Sequence, residues 1–410
     1  FEFTNGRTLK NKRHWICIKN YKKILCMLKF LRISTVYPKV LKQFNKDYPN
    51  ANKLSFKKYS KLFFDQYYNQ SNFLTSELKK YNYDCMEFLS NDKLMQEKWI
   101  NYYGNKDSDE DILTQIIKYF KPQVLFFDNI NLVNDELIKK IKLLNFIKLI
   151  LGFHCSPINS SIKKNINRLD AMVTCTPGYK KILFNKYKKK TLLMPHAFSI
   201  KTKIKKKIKR DIDVSFIGSL FLGSKLHNKR IDLIYDILKN FKNSYVAINF
   251  SKYFFYQIIV LLLISLKSFN LVLMLKRLYK LSYIYLFSKG PIFGKNMYKI
   301  LNRSKILINM HISDTKHAGN MRMFEGTGCG CFLITDKIMG NKSYFDNKVE
   351  IIEYDQINKV INMCFYFLSK KNELKKISTN GKKKTFECHN YETRAKLLDN
   401  FIRSEFKVYD

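Results

Sequence analysis

The sequence predicts an α/β protein built on two parallel, doubly wound sheets. Three observations carry this. From Ser108 to Pro195, short apolar runs alternate with helix-length amphipathic segments. After a basic stretch, Ser199 to Arg210, a second series of the same kind starts at Ile212 and continues to Tyr354. Near its end, a unit of strand, loop, helix and strand spans Lys305 to Asp336. Such alternation sets consecutive strands parallel, with helices on both faces. At 410 residues the chain has room for two domains, each with its own core.

Taken in order, residues 1 to about 20 are basic and irregular, and Tyr21 to Leu31 contains a first strand. Tyr37 to Gln66 holds two prolines, many lysines and scattered aromatics, with helical spacing from Tyr59 that continues through Leu78. Asp84 to Leu89 reads as a second strand. Ser108 caps a helix to Phe120, with Asp109, Glu110 and Asp111 at the positive end of its dipole. Val124 to Asp128 is a buried strand, Val133 to Leu144 a helix, and Lys148 to Gly152 the next strand. Ala171 to Cys175 follows, then a helix from Pro177, where proline suits the first turn. Thr191 to Pro195 closes the series. Ser199 to Arg210, basic and without glycine, is the interdomain linker. The domains are therefore 1–205, 206–388 and a C-terminal helix, 389–410.

In the second series, Ile212 to Ile217 runs as a strand into Gly218 and Ser219, and a helix covers His227 to Leu238. Tyr245 to Phe250 is a strand. Tyr253 to Leu286 is strongly apolar, with Lys267, Lys276, Arg277 and Lys280 interspersed. Its first run, Ile258 to Leu266, is too short to span a bilayer. Two readings stay open here: a pair of buried or domain-edge helices, or an interfacial hairpin on a membrane that carries a lipid-linked acceptor. Gly294 to Ser304 is a helix before the strand Lys305 to Asn309. A helix opening near Ala318, a tight glycine-bearing exit and a buried strand, Cys331 to Thr335, come next. Glu350 to Tyr354 is the last strand, followed by helices over Gln356 to Leu368, Asn372 to Phe386 and, after His389, to Ile402.

Composition sets limits. The chain is 46% hydrophobic and 15% aromatic, which a folded protein needs and a disordered one lacks. Its net charge of +42 is spread along the chain beside many Lys, Asn, Ile, Tyr and Phe residues, all encoded by A/T-rich codons. A nucleic-acid binder concentrates its charge on one face, and no such motif is present, so no nucleic-acid partner is expected. The nine cysteines include no C-x-x-C pair. This argues against a disulfide framework or structural zinc and favours a reducing compartment. No signal-peptide pattern is evident. The expected location is cytoplasmic, peripheral at the inner face of the cell membrane if the 253–286 segment docks there.

The most informative run is His317 to Asp336, H-A-G-N-M-R-M-F-E-G-T-G-C-G-C-F-L-I-T-D. Asn320, Arg322 and Glu325 fall close together, and Gly326, Thr327 and Gly328 follow. A helix N-terminus there presents N–H groups and partial positive charge to a pyrophosphate. Arg322 adds a fork of donors, and the Glu325 carboxylate can accept from two vicinal ribose hydroxyls. The glycines allow close backbone approach to a ligand or to the neighbouring strand. Ordinary helix–strand packing, with Arg322 and Glu325 as an i, i+3 pair on a wet face, is the plainer reading of the same spacing.

This run resembles the signature N-x-R-x-F-E-x-x-x-x-G-x-x-L-x-T-D of the GT-B glycosyltransferases labelled group 1, a family with spore-coat-protein-like members. Gln96 to Trp99, Met297-Tyr298 and His389-x-Tyr391-x-x-Arg394 are similar to further family segments. The resemblance implies a GT-B fold, two Rossmann-like domains facing a cleft, with a final helix that crosses back to the first domain. It implies that Glu325 binds the donor ribose, that Gly218 and Ser219 lie against the donor phosphates, and that Arg230 contacts them, with Lys229 as an alternative. Large retaining families carry a second glutamate eight residues before the first. Here that position is His317, so the resemblance carries over the nucleotide-sugar site and leaves the stereochemistry open.

The implied reaction moves a sugar from a nucleoside diphosphate donor to a hydroxyl of a glycan, lipid-linked or protein acceptor, for surface glycan or glycoconjugate synthesis. Arg322, Arg230 and helix N-termini are expected to neutralise the leaving diphosphate, so neither a metal nor another cofactor is expected. Ligands of parallel sheets sit beyond the carboxyl ends of the strands. That rule nominates His154 and Asp128 for the base. The alternatives are a GT-B protein that binds nucleotide sugar without transferring it, an epimerase, or a basic nucleic-acid binder.

Overall fold

The computed structural model describes residues 27–68, 71–202, 208–222, 225–251, 253–267, 271–311 and 317–406. The expectations for residues 1 to 20 and for the 205/206 boundary lie outside the described residues. The N-terminal lobe runs β1 (Leu28–Ser34), α1 (Pro38–Asp47), α2 (Phe56–Phe64), α3 (Phe73–Leu78), β2 (Tyr83–Leu89), α4 (Lys93–Tyr103) and α5 (Ile112–Phe120). It continues with β3 (Val124–Phe127), α6 (Asp135–Lys142), β4 (Leu149–Phe153), α7 (Ser160–Arg168), β5 (Ala171–Thr174), α8 (Pro177–Tyr187) and β6 (Lys190–Leu193). The C-terminal lobe runs β7 (Ile212–Leu220), α9 (Lys225–Asn240), β8 (Ser244–Phe250), α10 (Phe254–Lys267), α11 (Leu271–Phe287), α12 (Gly294–Arg303) and β9 (Ser304–Asn309). Then come α13 (Met321–Gly328), β10 (Phe332–Asp336), β11 (Ile352–Tyr354), α14 (Val360–Ser369), α15 (Lys371–Cys388) and α16 (Tyr391–Phe406).

Each lobe is a parallel sheet between helices. The orders are β2-β1-β3-β4-β5-β6 and β11-β10-β9-β7-β8. The central strands are apolar on both faces: all four residues of β3 and of β5 are buried, as a doubly covered sheet requires. In each sheet the order reverses beside the first strand, between β1 and β3 and between β7 and β9. A crevice opens at such a switch point, beyond the carboxyl ends of the strands.

Several local expectations are corrected. Asp111, not Ser108, caps α5, because its carboxylate accepts from the Thr114 N–H while Ser108 Oγ accepts from Glu110 N–H. The signature helix opens at Met321, not near Ala318, because Ala318 N–H is taken by Met339 O and Asn320 is the residue whose side chain accepts from Met323 N–H. Gly326 and Gly328 lie inside that helix, and the left-handed exit is Gly330, at φ 77°. α7 was not anticipated from the sequence. Cys155 and Cys175 form a disulfide, where the sequence argued against a disulfide framework. They follow β4 and β5, which are paired parallel, so their exits come side by side at a Cα separation of 6.1 Å.

The chain returns to the first lobe at its end. Tyr391, Ala395, Leu398 and Ile402 of α16 share a core with Phe30, Phe73 and Phe126. The seam is tied by backbone: Phe198 N–H donates to His389 O at 2.8 Å, and Tyr391 N–H to Phe198 O at 3.3 Å. Arg394 donates to Pro195 O at 2.7 Å and to His196 O at 3.1 Å. His389 donates from Nε2 to Tyr344 O, and its Nδ1 receives Arg394, so the ring is held neutral. Burial pushes its pKa down to about 4.

Candidate active site

The two switch points face each other and enclose two adjoining cavities, of about 530 and 540 Å³. Both are lined by Asp128, Asn129 and Met321, so those residues mark the junction. The first cavity has Gly218, Ser219, Arg322 and Glu325 on one wall and Thr35 to Pro38 on the other. The second has His154, His196, His311, His317 and Asn320 around it, with the Cys155–Cys175 disulfide at its edge.

Glu325 is 2% exposed. One carboxylate oxygen pairs with Arg322 Nη1, and the other accepts from Tyr298 Oη at 3.3 Å. Burial raises its pKa, and Arg322 and Tyr298 oppose that rise. The pair is therefore buried on a cavity wall, not on a wet helix face. Arg322 Nε has no hydrogen-bond partner among the described residues. Across the cleft, Asp128 accepts an ion pair from Arg32 Nη2 at 3.2 Å. Arg32 also holds Glu87 at 3.1 Å and donates to Ser71 O at 2.7 Å. Burial works against the charge on Arg32, but Asp128 and Glu87 more than offset it and raise its pKa. A permanently charged guanidinium thus fixes the carboxylate at the cavity junction.

His154 Nε2 lies 2.7 Å from Ser156 O. A carbonyl only accepts, so that nitrogen carries the proton. His196 is half-buried on the same wall, and desolvation lowers its pKa to about 4. His311, at the end of β9, bonds Asp336 through Nδ1 at 2.7 Å and receives Gly319 N–H on Nε2 at 3.4 Å. It thereby ties the loop before α13 to β10.

Residues 280–400 match a family model described as glycosyl transferase-like. No curated protein matches the chain. Among solved structures, sucrose-phosphate synthase from Thermosynechococcus elongatus superposes with a TM-score of 0.55 at 9% identity, over 93% of this chain and 100% of that one. HepE of Anabaena, in complex with UDP-glucose, gives 0.54 at 10% identity over 92% and 100%. A glycosyltransferase from Rickettsia africae gives 0.52 at 13% identity over 93% and 99%. At these identities the structural likeness is one of fold. The chain has the GT-B fold, and its residues 280–400 match the glycosyl transferase-like family.

In this GT-B protein the residues expected at the donor site fall into three groups. Gly218, Ser219, Arg322 and Glu325 line one cavity together, and Asn320 lines the other as the cap of α13. Arg230 lines neither cavity. It donates to Ser219 O at 2.8 Å and to Met310 O at 2.5 Å, clamping the ends of β7 and β9, while Lys229 is exposed. Desolvation lowers the Arg230 pKa to about 10.

Gly326, Thr327 and Gly328 face away from the cavities. A Cβ at Gly326 would lie 2.2 Å from Leu307, and one at Gly328 would lie 2.3 Å from the Phe198 ring. Thr327 Oγ1 meets Thr385 Oγ1 at 2.6 Å. These three serve packing against β9, the seam and α15. Of the two candidate bases, Asp128 stands at the junction and His154 within the second cavity only.

The sequence reading missed Thr35, Asn129, Asn249 and His311 on the cleft walls. Thr35 was out of reach because β1 extends to Ser34, beyond the expected Leu31. His311 sits two residues beyond the expected end of the strand to Asn309, where the strand-end rule would have found it.

Proposed function

We propose that this GT-B protein moves a sugar from a nucleoside diphosphate sugar to a hydroxyl of a glycan or glycoconjugate, for the synthesis of a surface polysaccharide. The carrying observation is the Arg322–Glu325 pair on α13, set beside Gly218 and Ser219 on one wall of a cavity that also reaches Asp128. HepE, which shares the fold, was crystallised with UDP-glucose, so uridine is the first nucleoside to test. In this reading Glu325 exchanges Arg322 or Tyr298 for the ribose hydroxyls, and the released guanidinium turns to the diphosphate. The backbone at Gly218 and Ser219 lies along the phosphates, and Arg230 shapes that wall without touching them.

At the junction, the acceptor oxygen attacks the anomeric carbon and the bond from that carbon to the diphosphate oxygen breaks. Asp128 takes the acceptor proton, and nucleoside diphosphate leaves. His154 is the weaker candidate because its Nε2 proton is committed to Ser156 O. The leaving charge is met by Arg322 and the positive end of α13. No metal or other cofactor belongs to this scheme, so a chelator should leave turnover unchanged.

Calorimetric titration with UDP, GDP, dTDP and CMP, for the wild type and Glu325→Ala, tests the proposal. Tight binding of one diphosphate, weakened about thirtyfold or more in the variant, is expected from losing hydrogen bonds to a charged group. Absence of binding to all four would overturn it. Analysis of the products from the matching nucleotide sugar separates transfer from epimerisation, which alters the donor without consuming an acceptor.

A further inference from the structure

Helices α10 and α11 leave the C-terminal lobe at one edge of the cleft and return to the same edge. β8 ends at Phe250 beside Asn249, which lines the first cavity, and Pro291, just after α11, lines it too. The root of this hairpin is anchored. Leu281 and Ile284 are buried, Tyr283 packs on Tyr235 at 5.3 Å, Phe254 stacks with Tyr285 at 5.9 Å, and Lys280 pairs with Asp232.

Among the described residues nothing covers the outward faces. Phe255 is 60% exposed, Leu273 63% and Leu286 73%, and Tyr256, Ile259 and Val272 are exposed beside them. Large apolar side chains exposed along both helices mark an interaction site. The segment is thus a domain-edge hairpin, not a buried pair. No helix among the described residues is long and apolar enough to cross a membrane.

Charge decides the occupant. From Ile237 to Ser313 the sequence contains no aspartate or glutamate, while Lys276, Arg277 and Lys289 lie in and around the hairpin. A second copy would bring the same cations to the same face and repel it. A bilayer with anionic headgroups satisfies both the apolar faces and the lysines. The exposed tyrosines, Tyr253, Tyr256 and Tyr279, suit the headgroup level, where an aromatic ring meets apolar chains on one side and water on the other.

We propose that the outward faces of α10 and α11 dock this protein on an anionic lipid bilayer, lying on it without crossing. The hairpin springs from the cleft rim, so docking holds the cavity mouth at the membrane surface, where a lipid-borne acceptor is delivered. The docking itself does not depend on the transfer reaction.

The test is flotation of the full chain with vesicles of phosphatidylcholine alone and of phosphatidylcholine with phosphatidylglycerol. Variants are Ile259→Ser and Leu273→Ser, with Phe184→Ser, on an exposed face of the other lobe, as control. Binding to the anionic vesicles only is expected, reduced about tenfold by each hairpin substitution and unchanged by the control. Nucleoside diphosphate binding should be equal in all variants, which reports an intact fold. No flotation with either vesicle would overturn the docking. So would a dimer in solution that the hairpin variants convert to monomer, because the patch would then belong to a second copy. Flotation without any nucleotide binding would leave the docking standing and remove the transferase reading instead.

Discussion

On the C-terminal side of the cleft, the ion pair is local. Arg322 and Glu325 lie one turn apart on α13, so helix geometry alone brings them together. On the N-terminal side, Arg32, Glu87 and Asp128 come from β1, β2 and the end of β3, with Arg32 and Glu87 separated by 55 positions. Both clusters are buried guanidinium–carboxylate pairs at a switch point. The first, in the proposed function, is the donor site, where one guanidinium balances one carboxylate and Arg322 Nε has no partner among the described residues. The second is a brace, where one guanidinium holds two carboxylates and fixes the only one that reaches the cavity junction.

On that contrast, breaking the brace should cost more stability than breaking the ligand site. Arg32→Met leaves two acids buried without their partner. It should lower unfolding free energy by about 3–5 kcal/mol in urea titrations, whereas Arg322→Met leaves one buried acid that Tyr298 still bonds, and should cost less, about 1–3 kcal/mol, together with lost nucleotide affinity. An equal stability loss in both would erase the distinction.

Asp128→Asn sharpens the same comparison through chemistry. Turnover should fall by about 10²–10³-fold if this carboxylate takes the acceptor proton, with nucleoside diphosphate affinity within about twofold of wild type. A His154→Ala variant that loses more activity than Asp128→Asn would move the base into the second cavity.

Between the two sides lies the seam, and its packing should behave like the brace. At Gly328 a Cβ would meet the Phe198 ring at 2.3 Å. Gly328→Ala should cost about 2–3 kcal/mol by overpacking, read from the thermal midpoint, with nucleotide affinity retained in the folded fraction.

The smallest effect comes from pH. The folded-state pKa of His389 is depressed to about 4 from 6.5. The unfolded chain therefore binds its proton first, so stability is full above about pH 6.5 and is lost as pH falls toward 4. Between about pH 7.5 and 5 this site alone should remove about 2 kcal/mol. His389→Gln should flatten that slope in urea midpoints measured at both values. A slope unchanged by the substitution would assign the acid sensitivity to other groups.

The sequence by itself determined the α/β class, the succession of strands and the local pair on α13. Alternating apolar periods, proline at the start of α8 and the spacing of Arg322 and Glu325 are all properties of short segments, and short segments are what sequence patterns encode. It also marked Asp128, because the carboxyl ends of parallel strands are where ligands gather whatever the strand order, while Gly218 came from the family resemblance. Only the tertiary structure decided which neighbours those ends would have. Strand order put Arg32 beside both Glu87 and Asp128, set Cys155 against Cys175, and turned Gly326 and Gly328 to Leu307 and Phe198 instead of a ligand. It also spent Arg230 on two backbone carbonyls. Each of those outcomes depends on contacts between residues far apart in the chain, and such contacts are fixed by packing and sheet order, which no local pattern contains.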